Sequence, residues 1–121
     1  MSRRSLGLRA EDAVAIHLEA QGYRLLGRNV RLGPLEIDLV AQQGDLVILV
    51  EVRTRGPRAF ETPFGSVTMK KRETLLRAAE RWAKEHKDEG WSRLRIDVAA
   101  VRFDAAGASS IEYDAGAITA S

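Results

Sequence analysis

The stretch that decides the fold runs Leu35-Glu36-Ile37-Asp38-Leu39-Val40-Ala41, then Gln42-Gln43-Gly44-Asp45, then Leu46-Val47-Ile48-Leu49-Val50-Glu51-Val52-Arg53-Thr54. Residues 35–41 alternate and residues 46–54 are strongly apolar, so each flank reads as a strand. Gln43-Gly44-Asp45 supplies a tight turn, with Gly at a position that can take positive φ. A β-hairpin therefore sits at the centre of the chain, with acids on both of its strands.

Strand alternation places those acids. Glu36 and Asp38 point to one face, opposite Ile37 and Leu39, while Glu51 and Arg53 share a face opposite Val50 and Val52. If Gly44-Asp45 forms the centre of a II′ turn, Gln43 pairs with Leu46, Asp38 lies across from Glu51, and Glu36 across from Arg53. Moving the turn to Gln43-Gly44 shifts the register but keeps all four side chains on one face. Carboxylates directly opposite on adjacent strands repel. Among apolar neighbours such a pair needs a proton, a cationic partner or a metal. Arg53 can answer for one acid, with Glu36 its expected supporting partner. A hard divalent cation would answer for Asp38 and Glu51.

Working outward, Ala10 to Gln21 reads as a helix capped by Gly22, and Tyr23 to Val30 as a first strand. In the helix, Glu11, Val14, Ala15 and Leu18 fall at i, i+3, i+4 and i+7, so Glu11 sits on the buried stripe and is expected to reach the strand acids. Arg55 to Ser66 is a loop broken by Gly56-Pro57, Pro63 and Gly65. A second helix is expected over 69–87, with Thr68 as N-cap and Leu75, Leu76, Ala79, Trp82 and Ala83 on its apolar face. Leu94 to Phe103 is a fourth strand, and 111–113 a short fifth. The order α-β-β-β-α-β predicts an α/β fold with helices packed on a mixed sheet, in one domain spanning 1–121.

Composition narrows the chemistry. The chain has no cysteine, and His17 and His86 lack metal-ligand spacing, so thiolate and zinc sites are not expected and a metal would be held by oxygen. No secretory leader or span of ~18 apolar residues is read, which predicts a cytoplasmic protein without a membrane partner. Residues 1–84 carry a net +5 and residues 85–121 a net −3. Once a cation neutralises the acids of the first part, that part is clearly basic, which favours a polyanionic partner. A buried acid beside an arginine is more often a structural ion pair than a site; three converging carboxylates reverse that preference.

Taken together, Leu35 to Val40, Val47 to Arg55, Ala10-Glu11-Asp12, Arg28-Asn29-Val30-Arg31, Ser66-Val67-Thr68 with Lys71, and Arg95-Ile96-Asp97-Val98 resemble the YraN family of predicted endonucleases. Those proteins are similar to restriction endonucleases and Holliday junction resolvases of the PD-(D/E)xK superfamily. The resemblance covers nearly the whole chain and implies a restriction-endonuclease-like mixed sheet. It implies that Asp38, Glu51 and the carbonyl of Val52 hold Mg²⁺ or Mn²⁺, with Glu11 a further ligand or a holder of metal-bound water. Arg53 stands where the superfamily has its active-site lysine. A guanidinium stays protonated and cannot be a general base, but it can hold a phosphate. The implied reaction is hydrolysis of phosphodiester bonds in structured or damaged DNA. A catalytically weak or inactive nucleic-acid-binding module on the same fold is the alternative. A junction substrate, cut symmetrically on two strands, would call for a homodimer.

Around the site, Lys70, Lys71 and Arg72 open the second helix, where cations oppose the macrodipole. Lys71 is on the buried side and is expected to face the acids. Arg31 and Arg55 are further candidates for nucleic-acid contact. Arg77, Arg81 and Lys84 are expected on the exposed face. Phe60 and Phe64 read as loop anchors, Asp97 as the buried partner of an arginine, and Arg3, Arg4 and Arg9 as a basic but fraying terminus.

Overall fold

A first helix, α1 (Arg3–Ala20), leads into three strands, β1 (Arg24–Leu32), β2 (Leu35–Gln43) and β3 (Leu46–Arg55); α2 (Met69–Glu85), β4 (Arg93–Phe103) and β5 (Ser109–Ile118) follow. The computed structural model describes residues 3–55, 65 and 67–119. Phe60, Phe64 and most of the expected loop lie outside them. The strands form one sheet in the order β1-β2-β3-β4-β5. β2 runs antiparallel to both β1 and β3, β3 and β4 run parallel, and β5 returns antiparallel to β4. With α2 as the crossover between β3 and β4, this is a mixed α/β sheet with two helices. No described helix is long and apolar enough to cross a membrane.

Alternation along β3 separates two cores. Val47 and Leu49 pack with Leu75, Ala78, Ala79 and Trp82 of α2, together with Ile96 and Val98. Ile48 and Val50 pack with Ala10, Val14 and Leu18 of α1, together with Ala99 and Val101. The helices thus cover opposite faces. This explains why 47–51 is buried without interruption: a central strand covered on both sides reads as a continuous apolar run. At β3's last buried position the apolar run gives way to Glu51.

Most element boundaries follow their local signals. Gly22, at φ +94°, ends α1 as expected, and the amides of Gly22 and Tyr23 donate to the carbonyls of Glu19 and Leu18. Gly44 takes φ +59° and Gln43 pairs with Leu46, the register expected of the II′ turn. Thr68 caps α2 by accepting the Lys71 amide at 3.1 Å. Two elements exceed the sequence reading. Residues 3–9 carry no apolar stripe yet extend α1 toward the N-terminus, because propagating a nucleated helix is cheap. β5 runs ten residues where three were expected, because β4 supplies the pairing that its Ala- and Gly-containing sequence does not advertise.

The sheet also departs from ideal alternation where the acids sit. Ile37 packs in the α2 core and Leu39 in the α1 core, so they do not share a face as expected. The β1–β2 ladder runs through Arg28–Leu39 and resumes at Val30–Ile37, skipping Asn29 and Asp38. Asn29 is in the left-handed region at φ +49°, a conformation that Asn tolerates better than other non-glycine residues. The β2–β3 ladder stops at Leu39–Val50. The hairpin therefore opens at Asp38, and the expected pairing of Glu36 with Arg53 does not form.

Candidate acidic site

Opening the hairpin at Asp38 frees its carboxylate from regular strand geometry. Oδ2 accepts the Val52 amide at 2.8 Å, so side chain to backbone replaces the next rung of the ladder. Asp38 and Glu51 lie close enough for each carboxyl to act directly on the other, as the expected register implied. Glu51 lies on the side of α2. Glu51 continues the Val47–Leu49 alternation, and Lys71 of α2 reaches its Oε1 at 3.6 Å. Lys71 thus faces the acids, as its helical position suggested.

Of the two acids, Glu51 is the more strongly raised. Its side chain is only 5% exposed, and burial, then the charge of Asp38, push its carboxyl up to about 7 against the opposing pull of Lys71 and Arg53. Burial also holds Asp38 above the ordinary carboxylate value, while the Val52 amide and the neighbouring Glu51 carboxyl act the other way. Glu51 Oε2 is buried and meets no donor among the described residues. Its two cations both approach Oε1, Lys71 at 3.6 Å and Arg53 Nη1 at 3.8 Å, too far for hydrogen bonds. Two cations therefore stand near the pair, while one Glu51 oxygen meets no partner among the described residues.

The remaining acids are held apart from this pair. Glu36 meets Arg31 of β1 at 3.5 Å instead of Arg53. Glu11 lies on the inner side of α1, near enough to Asp38 that burial and then the Asp38 charge raise its carboxyl. Its Oε1 is engaged by Asn29 Nδ2 at 3.1 Å and Arg28 Nη2 at 3.7 Å. Among the described residues no three His, Cys, Asp or Glu side chains are grouped to hold a metal ion, so the three-carboxylate convergence does not form in this arrangement. Each of Arg28, Arg31, Arg53 and Lys71 reaches one of these acids.

The basic residues divide. Lys70 is exposed at the start of α2. Arg72 turns away, donating to the Thr119 carbonyl at 3.0 Å and thereby tying α2 to the end of β5. Arg31 is 76% exposed, and Arg55 is half-buried at the end of β3. Arg81 is not purely a surface residue, because its Nη1 donates to the Leu32 carbonyl at 3.1 Å. Asp97 is the buried arginine partner expected of it, with Arg95 bridging both of its oxygens. Arg28 and Asn29, which position Glu11, were legible only as part of a motif; no periodicity marks a residue whose role comes from a left-handed backbone.

The family described as "Uncharacterised protein family UPF0102" matches residues 10–101 of this chain. A UPF0102 protein of Sorangium cellulosum is 44% identical over 113 residues, covering 92% of this chain and 78% of that protein. One from an Arthrobacter species is 41% identical over 108 residues, covering 89% and 91%. One from Streptomyces coelicolor is 39% identical over 116 residues, covering 95% and 89%.

Proposed function

Since this chain belongs to the UPF0102 family, whose name carries no activity, we propose from its acids that it is a divalent-metal-dependent nuclease with a PD-(D/E)xK-type site, hydrolysing phosphodiester bonds in structured or damaged DNA. One observation carries the reading: partly buried Asp38 and buried Glu51 lie side by side, burial holds both carboxyls above their ordinary values, and among the described residues one Glu51 oxygen meets no hydrogen-bond partner. A purely structural acid pair would have its lone pairs filled. Two carboxylates and the nearby Val52 carbonyl suit Mg²⁺ or Mn²⁺, because Mg²⁺ keeps several waters and binds through one or two carboxylates rather than in an all-protein cage. Bound there, the ion would polarise a phosphate oxygen and lower the pKa of the attacking water.

The chain's own residues do the rest. Asp38 and Glu51 would hold the cation as carboxylates. Asn29 and Arg28 hold Glu11 behind Asp38, where it can orient water. Arg53 and Lys71 lie on the rim of the pair, about a third exposed, and supply fixed positive charge to the phosphate as its own charge develops. Arg53 cannot serve as the base. That single fact favours the second reading, a nucleic-acid-binding module that keeps the fold without efficient cleavage.

The deciding experiment incubates purified protein with Mg²⁺ or Mn²⁺ and single-strand, duplex, flap or four-way-junction DNA and their RNA counterparts. Wild type should cut at least one DNA, and Asp38→Asn should cut none. At about ten times its Kd the ion should stabilise wild type by roughly 1.4 kcal/mol, raising the melting temperature by about 3–8 °C; Asp38→Asn should not respond. A wild-type melt indifferent to the metal, with no cleavage, leaves the binding module in place of the nuclease.

A further inference from the structure

Beside the acid pair, on the α1 side of the sheet, lies a cleft of about 480 Å³ walled by Arg4, Gly7 and Leu8 of α1 and by Asn29, Arg31 and Glu36 of the first hairpin. Glu11 also lines it. Glu11 and Glu36 are each close enough to Asp38 for their charges to interact, so the cleft adjoins the site.

Gly7 is its most informative wall. It lies inside α1, where glycine weakens a helix relative to alanine. A Cβ built on Gly7 would meet nothing within 4 Å, so no internal packing requires the missing side chain. The space it leaves opens into the cleft. Next to it Leu8 is 45% exposed, one of the few large apolar side chains turned to solvent. Arg4 makes no ion pair or hydrogen bond among the described residues, and Arg31 is held only by a 3.5 Å ion pair at 76% exposure. The cleft thus offers an apolar wall, one cation in Arg4 and a second, Arg31, in a long and exposed ion pair with Glu36. Those are complements to a base face and a phosphate.

We propose that this cleft seats an unpaired nucleotide flanking the phosphate under attack, an inference that rests on the nuclease reading above. Leu8 packs against the base through the gap left by Gly7, and Arg4 and Arg31 take its phosphate. A base stacked inside a duplex cannot enter a concave cleft, so the cleft selects nucleic acid with an unpaired nucleotide at that position.

Fluorescence anisotropy without divalent metal, so that nothing is cut, tests this with single-stranded DNA of roughly 12 nucleotides and the matching duplex. Gly7→Leu should weaken single-strand binding by roughly tenfold, the scale of losing one base contact, with duplex binding little changed. Gly7→Ala should melt higher than wild type and lose single-strand affinity to a smaller degree. It keeps the test open if Gly7→Leu misfolds. Arg4→Ala should reduce the salt dependence of single-strand binding by about one phosphate contact. Equal losses on both DNAs, or wild-type affinity in all three variants, would overturn the cleft assignment even if Mg²⁺-dependent cleavage is found. Selective loss in Gly7→Leu from a protein that cuts nothing supports the cleft and removes the nuclease reading alone. Wild type binding neither DNA removes both.

Discussion

Two buried acidic clusters lie in this sheet, and they are solved in opposite ways. Asp97 on β4 is fully buried, and Arg95 bridges it with Nε to Oδ1 at 2.8 Å and Nη2 to Oδ2 at 2.9 Å. Oδ1 also accepts the Gly116 amide, and Oδ2 the Tyr113 hydroxyl. The cost of burying that charge is met by one cation and four donors. Burial, then the Asp97 charge, push the Tyr113 hydroxyl up, and the Asp97 hydrogen bonds raise the Arg95 guanidinium, so neither donor gives up its proton. Asp38 and Glu51 sit two strands and one strand away from β4. Among the described residues they have one backbone donor, two cations beyond hydrogen-bond length of Glu51, and one oxygen without a partner. Burial alone does not mark a site. What separates the clusters is whether the fold fills the lone pairs.

The largest expected effect breaks the comparison at its stable end. Asp97→Ala removes the charge that Arg95 and Tyr113 are built around, and breaking a buried pair costs about 3–5 kcal/mol. Glu51→Gln removes a charge that burial and Asp38 oppose and should be neutral or stabilising in the metal-free protein. Urea denaturation of the two variants checks this. If Glu51→Gln is as damaging as Asp97→Ala, the Asp38–Glu51 pair is a structural element of the same kind.

What the sequence revealed follows the same division. The turn at Gly44 and the pairing of Gln43 with Leu46 were legible because a II′ turn fixes register locally. The proximity of Asp38 and Glu51, and the inward turn of Lys71, follow from that register and from helical period. The face was not legible. Period-two alternation carries no information on which helix covers which side, and at Asp38 the alternation itself fails because Asn29 turns left-handed across from it. Arg72 reads as one of three equivalent cations in sequence; only tertiary structure shows it reaching Thr119. The donors that complete Asp97 come from positions 113 and 116, in a strand too weakly patterned to be read at full length.

The next effect sharpens the comparison by titration. Glu51 is raised from an ordinary unfolded-state value near 4.5 to about 7 in the fold. Between those values the folded protein binds more protons than the unfolded chain, so stability falls as pH rises. The loss is complete once pH passes the folded value. At 1.36 kcal/mol per unit, the span corresponds to about 2–4 kcal/mol between pH 4.5 and 8. The raised Asp38 and Glu11 carboxyls act in the same direction. Stability measured in urea across this range should therefore slope downward in wild type, with most of the slope gone in Glu51→Gln. Asp97→Ala, compared at equal residual stability, should keep it. A Glu51→Gln profile parallel to wild type would mean that Glu51 ionises in the fold as easily as it does in the unfolded chain.

The smallest effect on stability, and the sharpest on function, belongs to Arg53. Its contact with Glu51 is 3.8 Å long and its side chain 39% exposed, the geometry of an ion pair worth under about 1 kcal/mol. Arg53→Lys should therefore change stability by no more than a few tenths of a kcal/mol. Arg53→Ala should cost somewhat more, because it leaves Lys71 as the one cation within 4 Å of Glu51 among the described residues. If Arg53 supplies charge to a phosphate in the transition state, Arg53→Ala lowers cleavage far more than nucleic-acid binding, and Arg53→Lys retains much of the activity. Lys71→Ala should weaken binding and turnover together and reduce the salt dependence of affinity, since Lys71 faces the pair from α2 and is free to reach a phosphate. Single-turnover cleavage and anisotropy on the same DNA separate the two roles. An Arg53→Ala protein that loses binding and cleavage in equal proportion would make Arg53 a contact for ground-state nucleic acid. The site would then resemble the Asp97 cluster in one respect: its cations would serve only to balance charge that is already there.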